Sequence, residues 1–111
     1  MIKKRRIPHY DLFLVKRLIN EGRYFETKKS LRWLATHGYD QSIAKRIILS
    51  LDEAEFVESL PPPREGGTWA DVYRCSYEDE EIEGTFYVKF ILSEDMLVVV
   101  LMSCKEWGYG W

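Results

Sequence analysis

The stretch Pro61-Pro62-Pro63-Arg64-Glu65-Gly66-Gly67 divides this chain into two halves that follow different rules. Three successive prolines fix φ and remove backbone donors, and two glycines follow, so neither a helix nor a strand continues through it. Before this loop, apolar residues recur at helical spacing. After it the apolar runs are short, aromatic and β-branched, and acidic turns separate them. A chain punctuated in this way reads as α+β, with amphipathic helices first and an antiparallel sheet second. Its 111 residues leave room for one small domain over 1–111, with no linker long enough to divide it.

The helical part spans about residues 11–50. Asp11 is placed to cap a helix in which Leu14, Val15, Leu18 and Ile19 have core spacing, and Gly22 sits where the chain must turn out of it. Arg23-Tyr24-Phe25-Glu26 is a short connector that could be extended. Thr27 caps a second helix, with Leu31, Leu34 and Ala35 inward and Gly38 ending it. Asp40 opens a third helix through Leu49, with Ile43, Ile47 and Ile48 on one side.

The β part spans about residues 55–105. Residues 55–60 read either as a strand or as one more helical turn. Residues 68–77, 85–92 and 96–104 form three successive strands of an antiparallel meander. The run Leu97-Val98-Val99-Val100-Leu101-Met102 is apolar on both faces, which places it centrally in the sheet with helices over one side. The tail, 106–111, holds Trp107, Tyr109 and Trp111 among glycines. It is expected to pack back on the domain, with a stacking platform for bases as the lesser use.

Composition narrows the class. An apolar share of 46% supports a core, and no apolar run approaches the ~18–20 residues of a membrane span. The basic start, Met1 to Arg6, is followed by no apolar signal segment, and two cysteines are too few for a secreted disulfide scaffold. A soluble protein of the reducing cytoplasm is the expectation. The net charge of −2 conceals an asymmetry: residues 1–49 hold twelve Lys/Arg against four Asp/Glu, whereas residues 50–111 hold four against fourteen. Such a division means either two charged faces or halves that dock on one another, and a basic half attracts nucleic acid or an acidic protein.

The sequence contains no phosphate-binding glycine loop, His-Glu-x-x-His, Cys-x-x-Cys or Gly-x-Ser-x-Gly motif. His37 suits a helix C-terminus, and His9 reads as a surface histidine or a proton donor. Cys75 and Cys104 read as small core residues. Alternation puts Phe86, Val88 and Phe90 on one face of a strand, with Tyr87 and Lys89 on the other. In the preceding strand it groups Arg74 with Ala70 and Val72, opposite Trp69, Asp71 and Tyr73. Arg74, Lys89 and Lys105 are the only Lys or Arg residues after Arg64. A Tyr/Lys/Arg set on a sheet can cleave RNA without metal. One group takes the 2′-hydroxyl proton, another protonates the 5′-leaving oxygen, and cations stabilise the charge on the phosphorus centre. Free Tyr and Lys have pKa values near 10, so positive neighbours must lower them, which requires the sheet and the basic helices to meet across a groove.

Several segments occur in an order that resembles a known family: Pro8-His9-Tyr10, Val15-Lys16, Leu51 through Phe56, Ser59, Trp69-x-Asp71-Val72-Tyr73-Arg74, Tyr87-Val88-Lys89 and Asp95 to Val99. Together they resemble the MqsR (motility quorum-sensing regulator) toxins of bacterial type II toxin–antitoxin systems. The resemblance implies a RelE-like α+β fold and a cytoplasmic endoribonuclease, an mRNA interferase needing no metal or other cofactor. It also implies neutralisation by a cognate antitoxin protein and no membrane association. Carried over residue by residue, it keeps the family tyrosine as Tyr87 and the final lysine of Ser-Phe-Lys-Glu as Lys105. It puts Glu58 where the family has lysine and Ala70 where the family has glutamine. Tyr87 and Lys105 are therefore the candidates for proton transfer, and Lys89, Arg74 and the loop residue Arg64 for binding RNA phosphate. The alternative is a catalytically inactive relative that binds RNA or protein. Register bears on this: a two-residue turn at Glu94-Asp95 sets Tyr87 opposite Met102, and a bulge is needed to bring Lys105 there.

Overall fold

A computed structural model describes residues 4–40 and 42–108, and its helices begin where side chains can satisfy free backbone amides. Asp11 accepts from the Phe13 amide at 2.9 Å and starts α1 (Leu12–Asn20), which buries Leu12, Val15, Leu18 and Ile19 and leaves Leu14 half-buried. Thr27 caps α2 (Lys28–Thr36), and Asp40 accepts from the Ser42 amide at 2.7 Å ahead of α3 (Ser42–Leu49). Gly22 and Gly38 take the left-handed φ values, 77° and 75°, that let the chain leave α1 and α2. The inward face of α2 differs from the spacing argument: Ser30, Trp33 and Leu34 are buried, while Ala35 is exposed. The indole of Trp33 claims that face by stacking on His37 and meeting Phe86 edge-on.

Among the described residues, five strands form one sheet: β1 (Tyr24–Glu26), β2 (Phe56–Leu60), β3 (Ala70–Glu78), β4 (Glu83–Leu92) and β5 (Val99–Glu106), in the order β1-β5-β4-β3-β2. The meander from β2 to β5 is antiparallel, and residues 56–60 resolve as strand. The sheet is mixed rather than purely antiparallel, because the connector before α2 pairs parallel to β5, with Phe25 opposite Val100. That pairing makes β5 an interior strand, as its two-sided apolar run requires.

The helices cover one face. Their buried side chains pack against Tyr73 and Cys75 of β3, Phe86, Val88, Phe90 and Leu92 of β4, and Val99, Leu101 and Cys104 of β5. The other face carries Arg74, Tyr87 and Lys89. At the β2 edge the N-terminal segment adds a backbone bridge, Arg5 with Ser59, at 2.9 and 2.7 Å. Asp71 anchors the same segment: its fully buried carboxylate accepts from the His9 and Tyr10 amides at 2.9–3.0 Å. Among the described residues, no helix is long and apolar enough to cross a membrane.

Candidate functional site

The turn before β5 is longer than two residues. Ser93 donates to the Val98 carbonyl, and the Asp95 carboxylate accepts from Leu97, so β5 begins at Val99 with Leu92 as its partner. Continued without interruption, that pairing would set Cys104 opposite Tyr87 and turn Lys105 into the core. A register shift intervenes between Lys89 and Phe90: Phe90 pairs with Leu101, but Lys89 pairs with Ser103. The extra residue is Met102. Leu101 and Cys104, three apart, can then both face the core, and Ser103 and Lys105 emerge on the Tyr87 side.

The consequence is a row across three strands. Arg74 lies opposite Tyr87, and Tyr87 lies opposite Lys105. Directly opposed side chains share a face with Cβ atoms ~5 Å apart. The next row along holds Glu58, Val72, Lys89 and Ser103. Four of the five sequence candidates, Arg74, Tyr87, Lys89 and Lys105, are thereby gathered. Arg64 sits apart, exposed in the loop leaving the Leu60–Ala70 end of the β2–β3 pair. Ala70 is at that same end, about 13 Å along β3 from Arg74.

The electrostatics separate the phenol from the amines. Lys105 is only 6% exposed. Burial first, then the charges of Lys29 and Lys89, push its pKa below the ordinary lysine range. Lys89 is pushed the same way by burial and by Lys29. Tyr87 moves oppositely: burial, then the nearby Glu58 carboxylate, raises its pKa. Sheet and basic helices do meet here, and the lysines respond, whereas the tyrosine is held more firmly protonated.

Sequence reasoning missed Lys29. It stands two residues into α2, whose first turn occupies the flank of β5 beyond the short β1. Thr27 fixes that position, its amide donating to the Leu101 carbonyl at 3.0 Å and its hydroxyl to Met102, the bulge residue, at 2.9 Å. The signal was present as a capping threonine followed by two lysines, but nothing local says which strand α2 abuts. Also unforeseen is the ion pair of Glu58 with Lys4 at 3.3 Å, delivered by the Arg5–Ser59 bridge. Trp107, expected chiefly to pack back on the domain and less to serve as a stacking platform, reaches the site: its ring centroid lies 5.6 Å from that of Tyr87. Tyr109 and Trp111 of the same tail lie outside the described residues. His37 is the C-cap of α2, its Nδ1 2.8 Å from the Trp33 carbonyl, while His9 stacks on Trp69. Cys75 and Cys104 are free and buried in the core. Among the described residues, no three of His, Cys, Asp and Glu converge as a metal-binding group.

Helices over one face of a mixed sheet, with a phenol and cations in register on the other face, define an α+β protein whose site can meet an anion. The chain belongs to the motility quorum-sensing regulator family, toxin of MqsA, which its residues 7–106 match. It is similar to the mRNA interferase toxin MqsR of Escherichia coli (strain K12), with 31% identity over 103 residues, 93% of this chain and 98% of that protein.

Proposed function

We propose that this protein is a toxin that cleaves mRNA in the cytoplasm without a metal ion and is held in check by an antitoxin protein. The observation that carries the reading is the row Arg74–Tyr87–Lys105 with Lys89 beside it, in a chain similar over nearly its whole length to an mRNA interferase toxin. Lys105, opposite Tyr87 and with its pKa lowered by burial and by Lys29 and Lys89, takes the proton of an RNA 2′-hydroxyl. The 2′-oxygen attacks the adjacent phosphorus and the 5′-oxygen leaves. Tyr87, kept protonated by burial and Glu58, gives that oxygen its proton. A 2′,3′-cyclic phosphate and a free 5′-hydroxyl result. Lys89 and the exposed Arg74 hold the phosphate oxygens as charge grows on them. Arg64, from its loop, would contact phosphates further along the strand.

Glu58 and Ala70 favour a second reading, a relative that binds RNA or a partner protein without cutting. One experiment separates the two. Purified protein and its Tyr87→Phe variant are incubated with a long defined RNA in EDTA, and new 5′ ends are mapped. Discrete cuts by the wild type that vanish in the variant support the nuclease. No cuts, or identical cuts in both samples, leave the binding module.

A further inference from the structure

Trp107 stands one residue beyond the segment that matches the family, yet it is built into the site. Its amide donates to the Thr85 carbonyl at 2.8 Å, which carries the β4–β5 pairing past Glu106 before Gly108, at φ 84°, turns the chain away. Trp107 is the first residue past β5, and its ring contact with Tyr87 places it on the face that carries Lys105. Its ring is inclined 47° to that of Tyr87, and the Arg74 guanidinium carbon lies 5.0 Å from the indole centroid. The residue remains 37% exposed, a large apolar surface among cations.

A guanidinium that stacks through its flat face keeps its N–H groups along the rim, available to a phosphate. An indole beside it offers what a phosphate site lacks, a surface for the base attached to the neighbouring ribose. Single-stranded nucleic acid is held by this combination of cations for the backbone and aromatic faces for the bases. We infer that Trp107, beside Arg74 and Tyr87, is a stacking subsite for one nucleobase of single-stranded RNA next to the scissile phosphate. The inference rests on the RNA-cleaving reading and adds a base-binding element that lies outside the family-matched segment. Stacking accepts any base in principle, with larger rings favoured, so the subsite adds affinity and a purine bias.

The test uses a short RNA spanning a mapped cut, made uncleavable by a single 2′-deoxy sugar at the attacking position. A matching series has one abasic nucleotide at each flanking position, and binding is read by fluorescence anisotropy in EDTA. Wild-type protein should lose about tenfold in affinity at one abasic position, a readout that needs no variant. Trp107→Ala should lose about as much on the intact RNA and nothing further on that abasic RNA, while Trp107→Phe keeps most of the affinity. Equal affinity of wild type for every abasic RNA overturns the subsite. So does an equal loss by Trp107→Ala on intact and abasic RNA, or no loss on either. If wild-type protein cuts RNA but Trp107→Ala binds as it does, the subsite alone falls. If wild-type protein neither binds nor cuts RNA, the nuclease reading falls with it.

Discussion

Replacing Asp71 by alanine should unfasten the N-terminal segment from the sheet, and the size of the effect follows from its contacts. The carboxylate is fully buried and takes two backbone donors, the His9 amide at 3.0 Å to both oxygens and the Tyr10 amide at 2.9 Å. A hydrogen bond to a charged acceptor contributes ~1.5–3 kcal/mol, and a buried amide left unpaired costs about as much. Taking about 2 kcal/mol for each donor gives a loss of about 4 kcal/mol, within the ~5–15 kcal/mol that holds a small domain together. At ~2.1 cal/mol/K per residue, the 111-residue chain unfolds with an entropy of about 0.23 kcal/mol/K, so Tm should fall by roughly 17 °C. Asp71→Asn keeps one acceptor and sets an N–H group against the second amide, for about half that loss. Circular dichroism melts measure the fall, and hydrogen exchange at His9 and Tyr10 locates it. A drop below about 4 °C, with both amides still protected, would refute the claim that this carboxylate holds the segment.

Cleavage by the wild type should rise with pH, level off below the ordinary lysine value of 10.5, and turn down only above the ordinary tyrosine value of 10. A rate that falls across the neutral range would mean that Lys105 does not act as the base. Glu58→Gln removes the carboxylate that helps raise the Tyr87 pKa, so the alkaline turn-down should move to lower pH. An unmoved limb would assign it to another group. Thr27→Val deletes the cap of α2 and the hydroxyl that satisfies Met102, for about 2 kcal/mol in urea unfolding. It should also slow cleavage by loosening the bulge that turns Lys105 outward, and Thr27→Ser should restore both. Unchanged unfolding in Thr27→Val would remove the threonine from that role.

What could be read from the sequence was what short-range chemistry controls. Asp11, Thr27 and Asp40 each bond an amide two or three residues ahead, so a local pattern suffices to find the helix starts. Alternation likewise assigned Arg74, Tyr87 and Lys89 to their faces, because the two-residue period of a strand is enforced by its own backbone. The parallel pairing of β1 was beyond reach: three residues join a strand 75 positions away, and nothing near residue 24 specifies that partner. The bulge lies between these cases. Leu101 and Cys104 both seek the core and are three apart, a spacing that no regular strand can satisfy. A phase break was therefore legible, but its position depended on a six-residue turn, 93–98, whose length only the Ser93–Val98 pairing reveals.

The charge asymmetry is partly resolved across the fold, and the unresolved part is informative. Arg46 of the basic half bonds Asp79 at 2.8 Å and Glu81 at 3.1 Å, and Lys4 meets Glu58, so some cations of the first half are matched by acids of the second. Lys29 is placed otherwise: its charge bears on Lys89 and Lys105, two amines already penalised by burial. Gathering like charges costs stability in the free protein, and an anion bound among them relieves the cost. Lys29→Gln, nearly neutral in helix propensity, should therefore stabilise the free protein by about 0.5 kcal/mol, roughly 2 °C in Tm. The same variant should weaken RNA binding, flatten its salt dependence by about one counterion, and shift the rising limb of the pH–rate profile upward as Lys105 becomes easier to protonate. Opposite signs in stability and binding from one substitution are what a site assembled for a polyanion requires. A loss of stability in Lys29→Gln would show instead that the ammonium serves the fold.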